Sequence, residues 1–175
     1  MKISIMAAMS TNRAIGNKNR LPWGTMPADW RNLYTVTEGK IMIMGRKTYD
    51  APDRVWSDSG NIVISHHKDM VLDPSFIKAD SLDHALDLVK LVDEVFIIGG
   101  AEIFKQALPL AHTIHLTLIH GVFEGDAFFP EIDESRFKLA GRKDFKKDAE
   151  NPYDYSFLVY RKRSNVSPRM LAAQL

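Results

Sequence analysis

Asp29 sits in the run Leu21-Pro22-Trp23-Gly24-Thr25-Met26-Pro27-Ala28-Asp29-Trp30, with Leu33 one helical turn further on. A carboxylate held among Leu21, Trp23, Met26, Trp30 and Leu33 loses hydration, and its pKa is pushed upward. Such an acid can bind a protonated heterocycle or manage a proton. The same position also suits an ordinary helix-start carboxylate, because Pro27 fits a first turn and the helix dipole favours negative charge there. Spacing alone leaves both readings open.

A second group of residues points to an anion. Gly45-Arg46-Lys47-Thr48 turns from an apolar strand into a helix. A guanidinium and an ammonium beside helix-start N–H groups can hold a phosphate by charge-assisted hydrogen bonds. A solvated helix start would look the same. Ser65-His66-His67 closes the next strand. Two adjacent histidines could ligate metal, but the pair lacks the further histidine support of a metal site, so none is expected. Gly99-Gly100 ends another apolar strand and lets backbone approach a ligand closely, or simply makes a helix-entry turn.

These residues need strands and helices to bring them together. Ile3–Met9 is a continuous apolar run of buried-strand length, and Ser10–Arg20 is polar and loop-like. The spacing predicts a helix from Pro27 to Thr37, stopped at Gly39, and a strand over Lys40–Met44. An irregular stretch runs from Asp50 to Gly60. Further strands are expected at Asn61–Ser65, Phe76–Lys78, Glu94–Ile98 and Thr113–Ile119. Helices are expected from Ser81, as cap, to Lys90 and from Ala101 to Leu108. The alternation then gives way to strands alone, Phe137–Asp144 and Tyr155–Arg161. The pattern implies an α/β fold with a mainly parallel sheet and antiparallel strands at one edge. Residues 164–175 lack periodicity and read as a tail beyond a single domain of residues 1–163.

With 175 residues, 45% of them apolar, the chain can build one full-sized core. A formal charge of +1 argues against nucleic acid as the main partner. The absence of cysteine excludes disulfides and thiolate metal sites. No stretch is long enough to span a membrane, and no signal-peptide pattern is present, so a soluble cytoplasmic protein is expected. The Gly-x-Gly-x-x-Gly fingerprint of the standard dinucleotide fold is absent.

Ile15-Gly16, Leu21-Pro22-Trp23, Pro27-Ala28-Asp29, Ile43-Met44-Gly45-Arg46-Lys47-Thr48-Tyr49, Asn61–Ser65, Phe96–Phe104 and Gly125-Asp126 occur in an order and spacing that resemble the dihydrofolate reductase family. The resemblance covers Met1 to about Arg163. It implies a three-layer fold with helices on both faces of the sheet, NADPH as cofactor, and a small dihydropterin such as dihydrofolate as substrate, handled by a monomer. By the same resemblance, Asp29 binds the pterin, with Thr117 bonded to it, while Leu21 and Trp23 govern the water that protonates N5. Met6, Ala8, Trp30, Leu33, Pro52, Trp56 and Ile98 would complete the substrate pocket. Arg46, Lys47 and Thr48, with Gly45, Ser65, His66 and His67, would grip the cofactor's phosphates. Ala8, Ile15, Gly16, Ile98, Gly99, Gly100, Ala101, Glu102, Ile103 and Phe104 would line the rest of the cofactor site, with the Gly99–Gly100 peptide cis.

One departure stands out. The family carries an arginine that clamps the substrate's glutamate carboxylate, and its gapless counterpart here is Ser59. Arg54 lies nearby, flanked by Asp53 and Asp58. A reductase of a tail-less dihydropterin or a related pyrimidine is therefore an alternative, and a non-catalytic NADP-binding protein of the same fold is another. Retention of Asp29, Trp23 and Thr117 argues against the last, because nucleotide binding needs none of them.

Overall fold

Ten strands and four helices make up the described residues, 1–164, of the computed structural model. The expected tail lies, apart from Ser164, outside them. In chain order the elements are β1 (Lys2–Ser10), β2 (Ala14–Gly16), α1 (Pro27–Val36), β3 (Ile41–Gly45), α2 (Arg46–Tyr49), β4 (Asn61–Ile64), β5 (Phe76–Ala79) and α3 (Leu82–Leu88). There follow β6 (Glu94–Ile97), α4 (Ala101–Ala107), β7 (Thr113–Ile119), β8 (Ala127–Phe128), β9 (Phe137–Phe145) and β10 (Tyr155–Lys162).

The main sheet has the order β5-β4-β3-β6-β1-β7-β10-β9. Its first six strands pair in parallel, and β10 runs antiparallel to both β7 and β9. The expectation of a mainly parallel sheet with an antiparallel edge is met. Parallel strands buried on both faces should be apolar throughout, and their side chains should alternate between two cores. They do. Ile5, Ala7, Ile43, Ile62, Ile64, Val95 and Ile97 pack with Leu82 and Ala85 of α3 and with Ile103, Phe104 and Ala107 of α4. Met6, Met42, Met44, Val63, Phe96 and Ile98 point the other way, where Leu33 and Val36 of α1 and Tyr49 of α2 cover them. Fully burying one such side chain contributes about 1.5–3 kcal/mol, so the two faces together fix which side of the sheet α1 occupies.

A third cluster, Trp23, Met26, Ala28, Ile119 and Tyr155, takes in Ala8, Leu21 and Phe123. It clasps the start of α1 against the ends of β1, β7 and β10. The helix bearing Asp29 is thus held along its length by one cluster and at its first turn by another.

The stretch Ser10–Arg20 departs from its reading as plain loop. Ala14 and Gly16 pair with Phe128 and Ala127 to form a small second sheet. Arg13, Lys18 and Asn19 take left-handed backbone with φ of 64°, 50° and 59°. Asp126 holds the segment from across the chain: its N–H donates to the Gly16 carbonyl at 2.9 Å, and its Oδ2 accepts the Lys18 N–H at 2.9 Å. Gly125 is needed there, because a Cβ would stand 2.9 Å from both the Ala14 Cβ and the Gly16 carbonyl oxygen. A strand of two or three residues carries too little periodicity to be read from sequence.

Candidate active site

The third residue of α1 is Asp29, directly above the sheet face that carries Met6, Ala8, Ile98 and Thr117. Ala8 and Thr117 are register partners across β1 and β7, so they share that face. Asp29 is 7% exposed. Burial raises its pKa from 3.8 to about 6, while the neighbouring Thr117 hydroxyl pulls the other way and loses. The helix dipole, which favours the ionised form, is outweighed too. The apolar surroundings read from the sequence therefore have the expected electrostatic effect.

Thr117 Oγ1 lies deep beside this carboxyl, yet makes no hydrogen bond of regular geometry with any group. Trp23 Nε1, also buried, has no partner either. Leaving a buried donor unpaired costs about 1–3 kcal/mol, so a native chain leaves such groups for a reason. Both atoms belong to residues grouped around Asp29 by sequence reasoning. A carboxylic acid, an indole N–H and a hydroxyl, all dry and under-bonded, suit a flat heterocycle with several polar edges.

The substrate-side residues divide into two sets. Met6, Ile98 and Leu33 meet in one apolar cluster, and Trp23, Leu21 and Ala8 in the adjoining one. Trp30 is half-buried beside Asp29 on α1. Pro52 and Trp56 are exposed on the segment joining α2 to β4, Trp56 to 49%. Ser59 is exposed as well. Arg54 is held elsewhere: it donates to the Tyr49 carbonyl at 3.2 Å, pairs with Asp73, and lies 4.3 Å over the Tyr49 ring and 5.1 Å over Phe76.

On the cofactor side, three glycines meet. The Gly99–Gly100 peptide is cis, as the resemblance implies, and Gly99 has φ +117°. The Gly45 N–H donates to the Gly99 carbonyl at 2.7 Å. A Cβ on Gly99 would press the Phe104 ring at 3.1 Å and Thr48 Oγ1 at 3.4 Å, and one on Gly45 would strike Ile103 at 2.8 Å. Ile103 and Phe104 are buried and back this glycine floor from beneath. Arg46 and Lys47 are exposed at its rim, next to Thr48. Arg46 and His67 share a hollow of about 460 Å³, and His66 faces another of about 440 Å³ with Lys68, Lys78 and Asp80. Ser65 is buried, its Oγ accepting the His67 N–H at 3.2 Å. Glu102, exposed on the first turn of α4, accepts from Gln106 at 3.4 Å. Ile15 and Gly16 belong to the strand β2 that Asp126 holds. Among the described residues no group of three or more acidic or histidine side chains is placed to hold a metal ion.

The model of the family described as dihydrofolate reductase matches residues 2–162. The chain belongs to the dihydrofolate reductase family. It is 40% identical to the dihydrofolate reductase of Bacillus subtilis (strain 168) over 163 residues, which is 93% of this chain and 96% of that one. It is 36% identical to the enzyme of Staphylococcus haemolyticus over 91% of this chain and 95% of that one. A solved dihydrofolate reductase from Enterococcus faecalis, complexed with NADP(H) and RAB-propyl, superposes with a TM-score of 0.82 at 26% identity, covering 93% and 97% of the two chains. Family membership accounts for the ordered motifs from Ile15 to Asp126 that no single spacing could explain.

The raised pKa of Asp29 has a stability consequence. An acid with a folded pKa above its unfolded value takes up a proton on folding between the two. Stability is therefore full below about pH 4 and falls as pH rises to about 6. It stays reduced above that by about 3 kcal/mol. Asp29→Asn should therefore stabilise the chain by roughly that amount at pH 7.5, with the gain vanishing toward pH 4, as read by urea denaturation across pH.

Proposed function

We propose that this chain catalyses the NADPH-dependent reduction of 7,8-dihydrofolate to 5,6,7,8-tetrahydrofolate. The observation that carries the reading is the buried, high-pKa Asp29 with two unpaired polar neighbours, in a chain of this family. Bound NADPH would contribute a hydride to C6 of the dihydropterin. The glycine turn suits such a cofactor: Gly45 and Gly99 let Ile103 and Phe104 pack tightly beneath it, Gly100 keeps the strand end bare of a side chain, and Thr48 and the cations Arg46 and Lys47 stand at its edge. Ser65, His66 and His67 are assigned to the adenosine phosphate, and Ala8, Ile15, Gly16, Ile98, Ala101 and Glu102 to the remainder of the cofactor. Ile103 and Phe104 act from beneath, through the glycines they support.

The protein's own part is to hold and polarise the pterin. Asp29 accepts hydrogen bonds from the ring's N3 and 2-amino edge and, when ionised in its dry site, attracts the protonated ring. Thr117 orients the carboxyl. Met6, Ala8, Trp30, Leu33 and Ile98 sandwich the ring, and Pro52 and Trp56 stand toward the substrate tail. Leu21 and Trp23 control the water that delivers the N5 proton, and Trp23 Nε1 is free to fix one such water. Positioning and exclusion of bulk solvent then supply most of the acceleration. We place the working unit in residues 1–163, acting in the cytoplasm as a monomer on small molecules. The balanced charge argues against nucleic acid as the main partner.

Asp29→Asn should leave NADPH affinity almost unchanged and cut turnover by about two orders of magnitude or more, with partial recovery at lower pH. Steady-state NADPH oxidation with dihydrofolate measures this. Turnover near that of the wild type at neutral pH would remove Asp29 from the chemistry.

A second reading concerns the tail. With Ser59 in place of the family arginine and Arg54 committed to Tyr49, Phe76 and Asp73, no guanidinium fork is offered to the glutamate carboxylate by either residue. This favours weak discrimination between dihydrofolate and a tail-less dihydropterin. Ser59→Arg should lower KM for dihydrofolate severalfold and leave the tail-less substrate unchanged. A wild type that strongly prefers dihydrofolate, together with an inert Ser59→Arg, would place the tail contact elsewhere.

A further inference from the structure

Helix α1 starts without a cap of its own. Met26 at the N-cap has no side-chain acceptor, and Pro27 has no N–H to satisfy. The next donor, the Ala28 N–H, is buried and bonds at 2.9 Å to Oδ1 of Asn151, a residue 123 positions later in the turn between β9 and β10. Asn151 is itself only 1% exposed. Its Nδ2 and its backbone N–H both donate to Asp148 Oδ1, at 3.0 and 2.8 Å. The Asp148 N–H returns the bond to the Asn151 carbonyl at 2.9 Å. One end of the amide is therefore tied to its own turn and the other to α1, which fixes both its orientation and the place of the Ala28 N–H. Pro152 adds to this by disfavouring a helical backbone at Asn151.

The residue after Ala28 is Asp29. No charged side chain contributes to the shift of its pKa, which burial and the Thr117 hydroxyl set between them. With no ion pair to steer the carboxyl, its position depends on where the backbone of the first turn lies. The charged groups on the turn are Lys146, Lys147, Asp148, Glu150 and Asp154, and α1 adds Arg31; Asp154 is bonded by the Lys146 ammonium at 3.1 Å and the Lys147 N–H at 2.8 Å. Glu150 meets Arg31 at 3.0 Å, with both side chains more than half exposed, so that pair adds little. The buried amide is the firmer tie.

We propose that Asn151 is a positioning residue for the active-site acid: from the β9–β10 turn it fixes the first turn of α1 and so aims the Asp29 carboxyl at the bound heterocycle. The inference rests on the reading of Asp29 as the substrate-binding acid. Displacement of a reacting group by about 1 Å can cost on the order of a hundredfold in rate, so a cap one residue away has leverage beyond helix stability. Asn151→Ala removes the acceptor and lets water reach the turn. Asn151→Asp keeps an acceptor for the Ala28 N–H but brings a carboxylate toward Asp29 and Asp148.

The test compares the wild type, Asn151→Ala, Asn151→Asp and Asp29→Asn as full-length chains, with rates expressed per folded molecule. Asn151→Ala should lower kcat/KM for dihydrofolate by about tenfold or more while the Kd for NADPH stays within about twofold. The pH at which Asp29 titrates should fall in Asn151→Ala, because hydration relieves the burial, and rise in Asn151→Asp, because like charge opposes ionisation. Asn151→Asp should recover most of the KM. A purely structural residue would lower only the melting temperature, leaving kcat/KM in place in both variants and the titration of Asp29 in place in Asn151→Ala, and that result overturns the proposal. Should Asn151→Ala fail to fold, Asn151→Ser, whose shorter neutral side chain does not reach the Ala28 N–H, carries the test on the same readouts of kcat/KM and Asp29 titration. Wild-type turnover in Asp29→Asn would instead overturn the underlying reading of the site, and this inference with it.

Discussion

A carboxyl group removed from water at the first turn of α1 is the constraint on which the rest of the site depends. Asp29 gains one hydroxyl neighbour in Thr117 and no cation to offset its burial. The ionised form is therefore destabilised, and the fold holds the acid in place by packing. Leu33 and Val36 seat the helix on Met42, Met44 and Phe96, while Trp23, Met26 and Tyr155 close over its start. The strain of a dry carboxyl is what a cationic or protonated ligand ring can relieve on binding, so instability in the empty site becomes affinity in the filled one.

The same logic separates the two halves of the site. The acid half is dry and apolar, built on β1, β7 and α1. The cofactor half is a backbone floor, where Gly45, Gly99 and Gly100 remove side chains and Arg46 and Lys47 supply charge at the edge. Both halves hang on adjacent strands at the centre of one sheet, with β1 flanked by β6 and β7. Ala8 of β1 and Ile98, the residue after β6, lie between the two halves, so the proposed pterin and nicotinamide sites adjoin without a separate domain.

Much of this was legible in the residues. The alternation of Ile43 with Met42 and Met44, and of Ile97 with Phe96 and Ile98, marked strands buried on both faces. Pro27 marked the helix start, and the apolar company of Asp29 foretold its raised pKa. What the sequence hid were ties between distant segments. The pairing of Ala14 and Gly16 with Phe128 and Ala127 involves too few residues to leave a periodic signal. Asn151 caps α1 from 123 residues away, and nothing in its neighbourhood names Ala28 as its partner. Arg54 sits near Ser59 in sequence, but its engagement with Asp73 and the Tyr49 ring depends on where β5 and its preceding loop lie. The exposure of Trp56 was equally invisible, since a large aromatic residue in an irregular segment usually reads as buried.

Burial, opposed by the Thr117 hydroxyl and by no cation, poises Asp29. Its side-chain carboxyl can be followed directly by carbon-13 NMR in the ligand-free chain, with aspartate labelled and the resonance assigned through Asp29→Asn. A single titration with a midpoint near pH 6, well above the other aspartates, is the predicted result. A midpoint at or below the ordinary aspartate value of about 4 would show a hydrated or ion-paired acid, and the account of the site would fail.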